Sequence, residues 1–110
     1  MSILLHQGPL RLTMTEHPNS PPIQLTLSEF LVLKELLIHQ GQHLSKGHLI
    51  RAGWPNSYVC DNALNMVIMS LRKKLLRYRD SIEINTIYRV GYSLNTVASC
   101  ARYVESMCGE

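Results

Sequence analysis

The chain has 110 residues, 45% of them hydrophobic, with eleven lysines and arginines against eight acidic residues and a formal charge of +3. That length and apolar content suit one domain with its own core. No apolar run approaches the ~18 residues of a membrane span, and Met1-Ser2-Ile3-Leu4-Leu5 lacks the basic start of a secretory signal. Cys60, Cys100 and Cys108 are odd in number and widely spaced, poor material for a disulfide framework. A soluble, cytoplasmic protein is expected, membrane-anchored only if the chain is part of a longer one.

Taken in order, Ile3–His6 and Leu10–Thr15 are β-prone runs separated by the turn signal Gln7-Gly8-Pro9. Residues 16–22, EHPNSPP, must be loop, because proline neither donates to a sheet nor continues a helix. Ile23–Leu25 is a third short strand, so a small N-terminal antiparallel sheet is expected. Thr26-Leu27-Ser28-Glu29 reads as a T-x-x-E capping box opening a first helix. Phe30, Leu33, Leu36 and Leu37 supply its buried stripe, and Gly41 its stop. Ser45 can cap a second helix carrying Leu49 and Ile50, ending before Trp54-Pro55. Asp61 is a suitable cap for a third helix running to about Tyr78. Ile82–Ile87 is a strand, and Tyr88–Leu94 turns and returns as its antiparallel partner, Gly91 permitting a tight or positive-φ turn.

The third helix has two faces. Leu64, Ile68, Leu71 and Leu75 recur at spacings of four, three and four, a stripe for the core. Opposite lie Asn62, Met66, Met69, Lys73 and Arg77, flanked by Asn65 and Ser70. Amides can read base edges, methionine can lie on thymine methyl groups, and cations can neutralise phosphates. Arg72, Lys73, Lys74, Arg77 and Arg79 crowd five of the eleven basic residues into 72–79, either a solvated helix end or a footprint for an anionic partner. Methionines at this spacing also serve as core filler or as an adaptable protein-binding patch.

No G-x-G-x-x-G, P-loop, H-E-x-x-H or nucleophile elbow occurs, so no enzyme and no cofactor is expected. Glu29 and His48 read as cap or surface groups rather than an acid–base pair. His39 and His43 are four apart, but Gly41 between them breaks the helix that would align them. The histidines are therefore read as scattered groups rather than a metal site.

Four segments carry a family pattern. Leu25-Thr26-Leu27-Ser28-Glu29-Phe30 looks like an "LTxxEF" helix entry. Leu44-Ser45-Lys46, with Leu49-Ile50 and Trp54, is similar to "hxSrxxLhxxhW", where h is apolar. Val59 through Leu75, ending Ile68-Met69-Ser70-Leu71-Arg72-Lys73-Lys74-Leu75, matches "V(s)DxxhxxxIxxLRKKL". Thr86-Ile87-Tyr88-Arg89-Val90-Gly91-Tyr92-Ser93-Leu94 is close to "TVxxxGYxL". Over about residues 3–94 the chain resembles the winged helix-turn-helix effector domain of OmpR/PhoB-type response regulators and of ToxR- and CadC-like one-component regulators. The resemblance implies an α+β fold: a small N-terminal antiparallel sheet, three helices and a C-terminal β-hairpin wing. It also implies a sequence-specific, double-stranded DNA-binding transcriptional regulator occupying residues 1–94.

On that resemblance, residues 61–78 are the recognition helix for the major groove and 82–94 the wing for the minor groove. Base-facing positions fall on Asn65, Met66, Met69 and Ser70. Backbone positions fall on Asn62, Arg72, Lys73, Arg77, Thr86 and Tyr92, and Arg89 enters the minor groove from the wing. Several family members have His or Arg where this chain has Val67, Met69 and Ser70. That departure removes bidentate guanine contacts worth ~1–3 kcal/mol each and points to an A·T-rich target or to more shape readout. Two copies on repeated half-sites and a contact of loop 54–60 with RNA polymerase are family-level expectations. An arrangement without a preceding receiver domain is expected, an order similar to the ToxR/CadC-like group. A stand-alone short regulator or a piece of a longer protein would both read this way, and the lack of a visible tag favours the first. Residues 95–110, outside the resemblance, place Val97, Cys100, Ala101, Val104, Met107 and Cys108 at helical spacing, so a short amphipathic helix or tail is expected. The rival to DNA binding is a winged-helix protein-interaction module that modulates another regulator through Met66 and Met69.

Overall fold

The computed structural model describes residues 2–6, 10–14, 22–76, 82–96 and 102–106. The expected turn at 7–9, most of the proline-rich loop, Arg77, Tyr78 and Arg79, and Cys100 and Cys108 lie outside them.

The first sheet is built from β1 (Ser2–His6), β2 (Arg11–Met14) and β3 (Ile23–Gln24). β1 and β2 run antiparallel with Leu5 opposite Leu12, both fully buried, which is how the sheet joins the core. α1 (Leu27–Ile38) starts with the expected reciprocal cap. The Thr26 hydroxyl accepts from the Glu29 amide at 3.2 Å, and the Glu29 carboxylate accepts from the Thr26 amide at 2.9 Å. Its stripe Phe30, Leu33, Leu36 and Leu37 is buried. The helix stops at Ile38, and Gly41 (φ +86°) turns the chain away, donating its amide to the Leu94 carbonyl at 2.8 Å.

A two-residue strand, β4 (Leu44–Ser45), leads into α2 (Lys46–Gly53), where Ser45 Oγ accepts from the His48 amide as expected. α3 (Asp61–Lys74) follows and stops short of the expected Tyr78, because Leu75 (φ −91°, ψ 4°) leaves helical geometry and caps the last turn through its amide to the Leu71 carbonyl. Its cap residue is Cys60, with no side-chain cap bond, rather than Asp61; Asp61 sits one position inside, where a carboxylate still favours the helix dipole. Leu64, Ile68, Leu71 and Leu75 are all buried, as the stripe required. β5 (Ile82–Ile87) and β6 (Gly91–Thr96) form the hairpin, with Ile84 opposite Leu94 and Thr86 opposite Tyr92. The expected architecture of small sheet, three helices and hairpin is therefore present.

Three further expectations are corrected. The tail is not a helix where it is described: Arg102–Ser106 is a strand, β7, parallel to β1 on the edge opposite β2. Unpaired N–H and C=O groups along a strand edge are a template for another strand, and they outweigh a weak helical spacing. The hairpin is not isolated either, because β4 adds to β6 and makes a second sheet in the order β4-β6-β5. Finally, Gly91 does not carry a positive φ; Arg89 does, at +63°. Gly91 faces Ser45 in the β4–β6 pairing, where a Cβ would collide with the Leu44 carbonyl oxygen, so close approach and not turn geometry demands glycine.

Candidate nucleic-acid interface

α3 offers an open ridge because its apolar stripe consumes only one side. Asn62, Met66, Met69 and Lys73 are exposed, and at ~100° per residue they fall within an arc of ~60°. Met66 is 60% and Met69 64% exposed, large values for thioether side chains. Three basic residues, Arg72, Lys73 and Lys74, occupy the last turn, where cations favour the negative end of the helix dipole.

The two flanks of the ridge are tied down differently. Toward α1, the Ser70 hydroxyl donates to Glu29, and Lys74 Nζ reaches Glu29 Oε1 at 2.5 Å and the Gln24 carbonyl at 3.0 Å. Glu29 itself is buried. Burial by itself would raise its carboxyl, but hydrogen bonds from Lys74, Ser70 and the Thr26 amide, with the Lys74 charge, prevail and hold it below its ordinary value. Toward the hairpin, Arg72 donates through Nε to the Ile84 carbonyl at 3.1 Å and through Nη2 to Thr86 Oγ1 at 2.7 Å. The buried Tyr92 donates its hydroxyl to Asn65 Oδ1 at 2.6 Å, and the Arg72 guanidinium lies 6.0 Å from the Tyr92 ring centre.

The residues singled out from sequence thus separate. Asn62, Met66, Met69 and Lys73 share the ridge. Asn65, Arg72 and Thr86 are exposed on the hairpin side, already bonded to neighbours. Ser70 is half-buried on the α1 side and Tyr92 is buried, so the hydroxyls of both are spent inside the domain rather than turned outward. Arg77 lies outside the described residues.

Beyond the ridge, the hairpin turn carries Tyr88, Arg89 and Val90, all exposed. The Val90 amide closes on the Ile87 carbonyl at 3.0 Å. The Arg89 guanidinium stands 5.2 Å from the Tyr88 ring centre, a cation held over a π face at the tip. Trp54 is half-buried against the core, in keeping with an anchoring role for the loop that follows α2. What sequence reading missed is the Glu29–Lys74 pairing, which joins residues 45 positions apart; the capping box accounted for Glu29 locally and no spacing rule reaches further.

A family described as "Transcriptional regulatory protein, C terminal" matches residues 19–94. Sensory transduction protein RegX3 of Mycolicibacterium smegmatis is 32% identical over 96 residues, covering 83% of this chain and 42% of RegX3. The chain thus spans less than half the length of that relative. The C-terminal domain of the nisin resistance regulator NsrR, a lantibiotic response regulator, is similar with a TM-score of 0.68 at 29% identity, covering 84% of this chain and 89% of that one. The DNA-binding domain of E. coli CadC is similar with a TM-score of 0.65 at 26% identity, covering 76% and 77% of the two chains.

Proposed function

This chain belongs to the OmpR/PhoB-type family of transcriptional regulatory proteins, and we propose that it acts as a sequence-specific regulator that binds double-stranded DNA through residues 1–94. The observation that carries the reading is the exposed ridge Asn62, Met66, Met69 and Lys73, beside a hairpin tipped by a cation. In this reading α3 enters the major groove and the hairpin reaches the adjacent minor groove, where Arg89 meets the narrow, negative A·T-rich surface. Met66 and Met69 lie against thymine methyls, and Lys73 and Arg72 neutralise phosphates. Asn65 accepts from Tyr92 with Oδ1, which leaves its NH2 group as a donor for base acceptors such as guanine O6 or thymine O4. Ser70 and Tyr92 act as positioning residues. Two copies would occupy half-sites about one helical turn apart.

Duplexes selected from a random pool at fixed salt, then titrated across salt, test this. Affinity should fall steeply with salt, and Lys73→Ala should reduce the log–log slope by about one unit. A Kd indifferent to salt, or no duplex bound at low salt, would overturn it. The exposure of Met66 and Met69 also favours the second reading, a protein-interaction module; it predicts that outcome. Loop 54–60, where Tyr58 is 98% exposed, is the surface we assign to RNA polymerase. Replacing Asn56 and Ser57 with alanine should change transcription at unchanged DNA affinity, and lost DNA affinity would sink the assignment. Among the described residues no helix is long and apolar enough to cross a membrane. A cytoplasmic site of action goes with the DNA reading, and the family is not an enzyme class.

A further inference from the structure

Away from α3's ridge, three side chains converge that DNA binding does not use. Glu35 lies in the last turn of α1, His39 is the residue that caps that helix one turn on, and His48 meets them from the first turn of α2. The Ser45 cap fixes where α2 begins and so brings His48 to this side. His48 Nε2 lies 2.7 Å and His39 Nε2 3.2 Å from the same Glu35 oxygen, Oε1. The two imidazoles meet edge to face at 87°, ring centres 5.7 Å apart. One donor atom from each of the three residues lies within 4.8 Å of the other two.

Two imidazole nitrogens and a carboxylate oxygen are the donor set of zinc and its borderline divalent neighbours, not of magnesium or calcium. Tetrahedral coordination at ~2.0–2.1 Å spaces ligand atoms ~3.3 Å apart. The Glu35–His39 distance of 3.2 Å already matches, and the Glu35–His48 distance of 2.7 Å needs only a small rotation of a half-buried side chain. The side chains are 26% (Glu35), 35% (His39) and 38% (His48) exposed, sheltered enough to be oriented yet open enough for an ion to enter and keep water as a further ligand. We propose that Glu35, His39 and His48 form a binding site for a zinc-class divalent ion that bridges α1 and α2. The spacing of His39 and His43 across Gly41 argues against a site along the chain; the fold instead brings His48 to His39 from another helix.

The test uses the whole chain, stripped with a chelator and titrated with Zn2+ by calorimetry and with Co2+ by visible absorption. One saturable ion per chain, a tetrahedral Co2+ spectrum and a raised Tm with Zn2+ are expected. His48→Gln and His39→Gln should each weaken Zn2+ by more than the ~10–100-fold that loss of an outer hydrogen-bond partner costs, while His43→Gln binds like the parent. Circular dichroism checks that each variant folds; should one fail, the other carries the comparison, since each removes one proposed ligand. Absent saturation, or binding that survives both ligand variants or disappears with His43→Gln, overturns the site. None of these readouts depends on DNA.

Discussion

Toward α1, α3 leans on a buried carboxylate gripped by Lys74 and Ser70; toward the hairpin, it leans on the exposed Arg72–Thr86 bond and on Asn65, itself exposed, which accepts from Tyr92. A buried charge that loses its partner is left in a poor solvent, so the first flank behaves as a fixed joint. Exposed donors exchange one acceptor for another at little net cost, so Arg72 can trade Thr86 for another acceptor without disturbing the core. The same helix is therefore anchored on one side and adaptable on the other, with the open ridge between.

The largest effect is expected on the fixed side. Lys74→Ala strands Glu29 and should cost about 3 kcal/mol in urea unfolding; a loss under 1 kcal/mol would show that the joint is not held by charge. The pH dependence carries the same signature. Because the folded Glu29 carboxyl is held below its ordinary value, its contribution is full above the unfolded glutamate pKa of ~4.3 and is lost as pH falls through the lowered folded value. Glu29→Gln should flatten the acid limb of the stability curve, and an unchanged limb would assign it to other carboxylates.

On the adaptable side, Tyr92→Phe removes one hydrogen bond to a water-accessible amide and should cost about 1 kcal/mol. It also frees Asn65 to rotate, so discrimination among selected duplexes should narrow more than total affinity falls. Equal losses on all duplexes would mean that Asn65 reads no base. The smallest effect on stability belongs to the tip. Arg89 holds a left-handed backbone that costs a non-glycine residue ~1 kcal/mol, while glycine gives back a similar amount in chain entropy. Arg89→Gly should thus leave Tm no lower than the parent and still weaken duplex binding. Unaltered binding would remove the tip from the interface.

Much of this was legible along the chain. The Thr26–Glu29 box, the Ser45 cap and the four-three-four stripe from Leu64 to Leu75 are local rules, and each stands in the structure as read. The tail was misread because helical spacing in 95–110 carries no information about the free edge of β1, some hundred residues earlier in the chain. Gly91 was given the right residue for the wrong reason, since its neighbour across the sheet, β4, is only two residues long and gives no recognisable strand signal.

By itself the sequence determined the elements, their order and which side of α3 faces inward, because caps and periodicity act within one or two turns of backbone. Only the tertiary structure decided which polar groups remain available. Ser70 and Tyr92 were consumed by Glu29 and Asn65, and His39 was set beside His48 instead of His43. A hydrogen bond or a ligand set depends on distance in space, which packing of the apolar faces settles and spacing along the chain does not.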